Sequence, residues 1–364
     1  MKNKKLLFSF GIIALLIIAA IGLYKNRQQT SDANVTRIGV LSFLTGTYAQ
    51  MGIEIQNGAI LAKDVFCQNN KSVVELVSED GKGEAKPAVS AFNKLLLSKP
   101  DAVLVAGANQ VPVTAPIAAK VGVPMLATVI PNSEFLSYNG ENTLLFRNFA
   151  SSAAMARKIA QFAVQQNMKS VSCIMIRASV GEESLSSFVG EFEHSGGKIL
   201  TTESFDETMS SIQGIVTKSV SGNPDAIYVV GYGSVYAMLL NEIKNIGYKG
   251  RILTNDAVAS PETLEILKNK DMIFYSDLDF VVRPEYKNVL NYYKEKYGTE
   301  MSPFAIYGYN TFMILAEAAF VAKKESIHIE KVLLRNEGFD TLTGKISFRK
   351  NGDCELPITI KEMK

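Results

Sequence analysis

Pro100–Ala108 reads "PDAVLVAGA", and Pro224–Tyr232 reads "PDAIYVVGY". In each copy a Pro-Asp turn launches a short apolar run and a glycine closes it. An uninterrupted apolar run of this length suits a strand buried on both faces, and such strands belong to parallel sheets covered by helices. A chain that writes one strand and its exit loop twice is expected to contain two equivalent sheets.

The surroundings of both copies carry the same programme. Before the first copy, "RIGVLSF" reads as a strand, and Gly52, Ile55, Ala59, Ala62 and Phe66 step along one helical face. "SVVELV" is the next strand, and Pro87 opens a helix carrying Phe92, Leu95 and Leu96. A short helix near "TAPIAAK" then leads through Gly122 to "VPMLATV". In the second half Ser151 or Ser152 caps a helix that turns Met155, Ile159 and Phe162 inward, and "VSCIMI" follows as a buried strand. A helix with Leu185, Phe188, Val189 and Phe192 on one stripe stops at Gly196-Gly197, before the strand "KILTTESF". After the second copy comes a helix on Val235, Met238, Leu239, Glu242 and Ile246, which Gly247 ends before "RILT". Repeated βα units of this kind predict an α/β protein of two doubly wound parallel-sheet lobes. Ligands bind beyond the carboxyl ends of such strands, so two facing lobes enclose a cleft. The tail "FDTLTGKISFRKNGDCELPITI" alternates at Ile346 and Phe348, turns at Asn351-Gly352, and alternates again at Leu356, Ile358 and Ile360, which predicts a β-hairpin.

Bulk properties narrow the function. The chain has 364 residues, 47% of them hydrophobic and 20% charged, enough for about two domains. Its formal charge is +2, but Lys2, Lys4, Lys5, Lys25 and Arg27 crowd the start without an acid, so the remainder is net acidic. A nucleic-acid partner, which needs a basic face, is not expected. Leu6 to Leu23 carry no charge and follow a Lys-rich start, as a secretory signal or a retained membrane anchor does. Ala20-Ile21-Gly22 offers a small-x-small cleavage pattern, whereas the length of the run also allows an anchor, so both readings stand. No cysteine lies nearby to carry a lipid. Either way the body is expected to be periplasmic or otherwise extracytoplasmic.

Enzyme chemistry is not written here. His194 and His328 are the only histidines, without metal-ligand spacing, and read as solvated surface groups. "GYGSVY" lacks the third glycine of a dinucleotide fingerprint. Asp277 and Asp279 are close in sequence but lack a loop of oxygen ligands for calcium. The run Lys323-Lys324-Glu325 reads as a solvated helix end. Cys67, Cys173 and Cys354 have no CxxC spacing and read as small buried hydrophobes, with a Cys173–Cys354 bridge as the alternative. No cofactor, metal or catalytic residue is expected.

Taken in order, "IGVLSFLTGTYAQMGIEIQNGAILA", "PDAVLVAGA", "TAPIAAKVGVP", "LLFRNFASS", "PDAIYVVGYG", "YGYNTFMILAEAA" and "GFDTLTGKISF" resemble the periplasmic solute-binding proteins that include the leucine/isoleucine/valine-binding protein, the type I binding-protein fold. The resemblance runs from about residue 36 to 350 and lies in the joint order of individually weak segments. It implies two lobes joined by three crossovers, a hinge that closes on a ligand, and delivery to the membrane subunits of an ABC-type permease by a monomer. The expected divisions are a signal or anchor at 1–27, a connector at 28–35, lobe one at 36–148 plus 277–339, and lobe two at 149–276 plus 340–364. The crossings then fall near Phe149, Ser276 and Phe339.

The family's ligand loops differ here. Its small hydroxyl and alanine run after "VP" corresponds to Val129-Ile130-Pro131, Ala108-Asn109-Gln110 replaces paired serines, and a family tyrosine is replaced near Val180. Tyr232 and Asp256 are retained, the latter where the family often has an acid facing the ligand's ammonium; an aspartate there equally suits a helix cap. Arg147 matches the family's "FR" pair and reads as structural. The candidate site is therefore Thr45, Tyr48, Asn109, Gln110, Thr128 and Val129 from lobe one, with Ser179, Tyr232 and Asp256 from lobe two. The expected ligand is a small solute, amino-acid-like, amide-like or aromatic. Transport is the first functional reading, and a membrane-anchored ligand sensor signalling to a partner is the alternative.

Overall fold

A computed structural model describes residues 35–363 apart from 47, 71–72 and 279–280. The apolar run Leu6–Leu23 and Asp279 lie outside the described residues. The first sheet takes β1 (Thr36–Ser42), β2 (Val74–Asp80), β3 (Ala102–Ala106), β4 (Met125–Thr128) and β5 (Leu145–Arg147), in the order β2-β1-β3-β4-β5 and parallel throughout. Between them run α1 (Ala49–Asn70), α2 (Ala85–Leu96) and α3 (Val111–Val121). The second sheet takes β6 (Ser170–Ile176), β7 (Lys198–Phe205), β8 (Ala226–Val230), β9 (Arg251–Asn255) and β10 (Ile273–Leu278) in the same spatial order, β7-β6-β8-β9-β10, extended by an antiparallel last strand. Its helices are α4 (Ser152–Gln165), α5 (Ser179–His194), α6 (Gln213–Val220), α7 (Gly233–Asn245) and α8 (Pro261–Ile266).

The repeated segment thus supplies equivalent strands, β3 and β8, each wholly buried. Its aspartate has one job in both lobes. The Asp101 N–H donates to Arg37 O at 2.7 Å, and the Arg37 N–H returns a bond to Asp101 Oδ2 at 2.7 Å. The Asp225 N–H donates to Ser170 O at 3.0 Å, and the Ser170 N–H returns a bond to Asp225 Oδ2 at 2.9 Å. Each pair fastens the foot of the incoming strand to the foot of the central one.

The remaining elements are α9 (Lys287–Tyr297), α10 (Pro303–Glu325), α11 (Ile329–Leu333), β11 (Phe339–Thr341), β12 (Gly344–Ile346) and β13 (Ile358–Glu362). α10 is long and apolar enough to cross a membrane, but it is mostly buried in the first lobe. It crosses α1 backbone to backbone: a Cβ on Gly58 would lie 1.9 Å from Ala305 O, and one on Gly308 would lie 1.9 Å from Ile55 O. Only glycine permits that approach.

Several expectations need correction. The tail does not form one long hairpin. β11 and β12 pair in a short one, Phe348 and Cys354 bridge across the Asn351-Gly352 turn, and β13 pairs with β10 instead. Alternation specifies a half-buried strand but not its partner. Residues 340–354 were expected in lobe two, yet Leu342, Ile346, Phe348 and Cys354 pack into the first lobe's core, so the last crossing follows Cys354. The middle crossing moves from Ser276 to beyond Leu278, because β10 stays in the second sheet throughout. Phe149, Leu278 and Leu356, one from each connection, meet in a small apolar cluster with Tyr307. Cys173 and Cys354 are free thiols in different cores, not a bridge. On α7 the inward stripe is Val235, Tyr236, Leu239, Leu240 and Ile243, while Met238 and Ile246 are exposed.

Candidate functional site

Because the strands of each sheet are parallel, the loops after β1, β3 and β4 leave the first lobe on one edge, and those after β6, β8 and β9 leave the second on another. Direct bonds show that these edges face each other. The Asn132 amide donates to Ser179 Oγ at 2.5 Å. Glu183, on α5, accepts from Ser133 Oγ at 2.7 Å and from the Ser133 N–H at 3.3 Å across the gap, and from Ser152 Oγ at 2.7 Å at the first crossing.

The loop carrying Asn132 and Ser133 is itself held by Arg147, whose side chain is fully buried at the end of β5. Its guanidinium pairs twice with Asp353, at 2.9 and 2.7 Å, and donates to Pro131 O and Asn132 O at 3.0 Å each and to Ser133 Oγ at 3.0 Å. A buried charge with all its donors occupied is a structural hub, in agreement with the sequence reading. The turn that delivers Asp353 depends on Gly352 at φ +85, where a Cβ would also strike Leu145 O at 2.0 Å.

Of the expected first-lobe ligands, two point the wrong way. Gln110 and Thr128 are fully buried. The Gln110 amide donates to Ala106 O at 2.6 Å within its own turn, and the Thr128 hydroxyl donates to Asn148 O at 3.1 Å. Polar side chains at strand ends served the backbone here and not the cleft. Val129 is half-buried, packs against the first core and the crossing cluster, and holds φ +54, a conformation that costs a β-branched residue energy. Asn109 is exposed and donates to Gly83 O at 3.2 Å. Thr45 is exposed, and its hydroxyl donates to Asp80 Oδ2 at 2.6 Å. Burial works to raise the Asp80 carboxyl, but the bonds from Thr45, Lys82 and Leu44 outweigh it and hold the group below the usual range. Tyr48 is 60% exposed and presents its ring at the mouth of the first lobe.

The second lobe answers with Tyr232, 41% exposed, at the start of α7. Burial, then the Glu207 carboxylate beside its hydroxyl, then the charge-sensitive neighbour Tyr48 push the Tyr232 phenol up to about 12. That influence places the two tyrosines opposite each other across the gap. Asp256 opens a 3₁₀ turn, Asp256–Ala259, at the end of β9. It touches solvent, yet desolvation by surrounding protein, followed by the nearby Asp277 carboxylate, pushes its carboxyl up to about 6. Access to water combined with protein on all sides describes the floor of a concavity. The amides of residues 256 and 257 and the Asn255 side chain pull the other way, so the carboxylate also serves its own turn.

Sequence reasoning missed Glu183, Asn132 and Glu207. An acid in the first turns of a helix is ordinarily read as a partner for the helix dipole, so nothing marked Glu183 as a link between lobes.

The periplasmic binding protein family profile matches residues 35–363. A Leu/Ile/Val-binding protein homologue from Brucella melitensis is 23% identical, the alignment covering 98% of this chain and 95% of the relative. Among solved structures, a leucine-binding protein from Thermotoga maritima superposes with a TM-score of 0.73 at 23% identity, over 90% of this chain and 95% of that one. A solute-binding protein of an ABC transporter from Rhodopseudomonas palustris, in complex with 3,4-dihydroxybenzoic acid, superposes with a TM-score of 0.70 at 16% identity, over 91% and 93%. With the duplicated lobes and the facing loops, these matches lead to one conclusion: the chain belongs to the periplasmic binding protein family and has the two-lobed type I fold of its leucine/isoleucine/valine-binding members.

Proposed function

We propose that this protein binds a small solute between its lobes, outside the cytoplasm, and delivers it as a monomer to the membrane subunits of an ABC-type permease. The observation that carries the reading is the pair of opposed mouths: Tyr48 on one lobe, Tyr232 and Asp256 on the other, with solvent access to all three. Aromatic walls and one charged group are what a cleft needs to enclose and orient a small molecule. Thr45, Asn109, Val129 and Ser179 complete its rim, while Gln110 and Thr128 support the first-lobe loops from behind. Family members are solute-binding proteins, and we extend that to this chain as a protein without catalytic turnover.

A metabolite library screened by thermal shift tests the reading. A solute at ~100 times its Kd adds roughly 2.7 kcal/mol to stability, and the shift should vanish in Tyr232→Ala. A stabilising solute whose effect survives both Tyr232→Ala and Tyr48→Ala contradicts it.

A further inference from the structure

We infer that the cleft selects an organic cation: an ammonium or amidinium group on Asp256, an aromatic or aliphatic body between Tyr48 and Tyr232, and no carboxylate. This rests on the cleft-binding reading and narrows it.

The argument begins with the groups able to hold a carboxylate. Along the first lobe's mouth they are already engaged by the protein's own acceptors. The Ser133 amide and hydroxyl and the Ser152 hydroxyl bond Glu183, the Asn132 amide bonds Ser179, and Arg147 is saturated by Asp353 and loop carbonyls. Pro131 has no N–H to offer. Two cations stand near the strand ends, and neither serves. Arg177 leans outward onto the edge strand β7, where Ser204 and Asp206 take its guanidinium at 3.0 and 2.8 Å. Lys82 follows β2, the edge strand of the first sheet.

What the cleft does present is negative. Asp256 lies on its floor with Glu207 beside Tyr232, and Asp277 stands behind, itself paired with Lys361 at 2.7 Å. Helix amino termini at the strand ends carry about half a positive charge each, but Glu182 and Glu183 in α5 more than offset theirs. An anionic or zwitterionic ligand would meet uncompensated carboxylates, whereas a cation meets one full charge and the faces of two exposed tyrosines.

Four probes that share a benzene ring and differ in charge test this on the full chain by calorimetry at pH 7.5: benzylammonium, phenylalanine, benzamide and benzoate. Benzylammonium should bind at least tenfold more tightly than the other three, and Asp256→Asn, which keeps the side chain's shape, should weaken it at least tenfold while leaving the folded state intact by circular dichroism. Affinity should also fall between pH 7.5 and pH 5 as Asp256 gains its proton near pH 6, with Asp277, Lys361, Glu207, Tyr236, Tyr275 and Tyr307 as the titratable groups around it. Asp256→Asn should remove that fall. If phenylalanine, benzamide or benzoate binds as tightly as the cation and loses affinity in Tyr232→Ala, the charge selectivity is wrong and the cleft stands. Benzylammonium binding that ignores Asp256→Asn, or no binding of it at millimolar concentration, also overturns the inference; the library screen judges the cleft separately.

Discussion

The two copies of the repeated strand agree at the foot and part company at the mouth. Asp101 and Asp225 make the same reciprocal bonds to the neighbouring strand. Past the glycine the chain then does opposite things. In the first lobe Gln110 turns inward and is fully buried, while in the second Tyr232 stands out at 41% exposure beside Glu207. What the copies share is what a parallel sheet needs to start its strands in register. What they do not share is the chemistry offered to a ligand, and that asymmetry makes one lobe a mostly neutral wall and the other the charged one.

The largest expected effect falls on the part that brings the unlike mouths together. Arg147→Met leaves Asp353, only 14% exposed, without its partner and frees the loop that carries Asn132 and Ser133. Breaking a buried pair from one side costs about 3–5 kcal/mol. Urea denaturation should show that loss, and adding Asp353→Asn should recover part of it; an unchanged midpoint would mean the hub is dispensable.

Next comes the charged mouth. Asp256→Asn should leave stability at pH 4 unchanged and raise the melting temperature of the ligand-free protein at pH 7.5. Its folded-state carboxyl sits near 6, above the usual 3.8, so this group's favourable contribution is present at low pH and is lost as pH rises through about 6. A melting temperature that drops at pH 7.5 would show the carboxylate to be a helix cap and not a strained binding group.

The feet should respond alike and more weakly. Asp225→Asn is expected to cost about 1 kcal/mol at pH 7, a charge-assisted bond discounted for exposure, and Asp101→Asn a similar amount. The backbone bond from Lys169, first among the causes, holds the Asp225 carboxyl below its usual value. Its contribution is therefore present above pH ~4 and fades as pH falls through the lowered pKa. Chemical denaturation at pH 7 and pH 2 measures both; a difference of several kcal/mol between the two variants would end the claim that the feet are equivalent. Smallest of all is Val129→Gly. Relief of the φ +54 backbone and loss of half-buried packing nearly cancel, so the midpoint should move by less than about 0.5 kcal/mol. The matching position at the end of β9, Asn255, has φ −98 and no such strain to relieve.

Legibility in the sequence follows the same division. Periodicity and the repeat revealed the sheets, their order of appearance and the helices between them, because burial on both faces leaves a continuous apolar run. Pairing partners left no such mark: Ile358 and Ile360 alternate whether they pair with β12 or with β10. At the mouths, exposed Tyr48, Tyr232 and Asp256 were found because large or charged residues at strand ends stand out. Gln110 and Thr128 were misplaced because a polar side chain bonded to its own loop looks, in sequence, the same as one waiting for a ligand. Glu183 went unseen because its partners lie far away in the chain, at Ser133 and Ser152.

A crystal structure of the protein grown with a solute found by thermal shift tests the central claim most directly. The account predicts density for that solute between the rings of Tyr48 and Tyr232, within hydrogen-bonding distance of Asp256. Density at any other place on the molecule, with the space between the two tyrosines filled only by water, would contradict it.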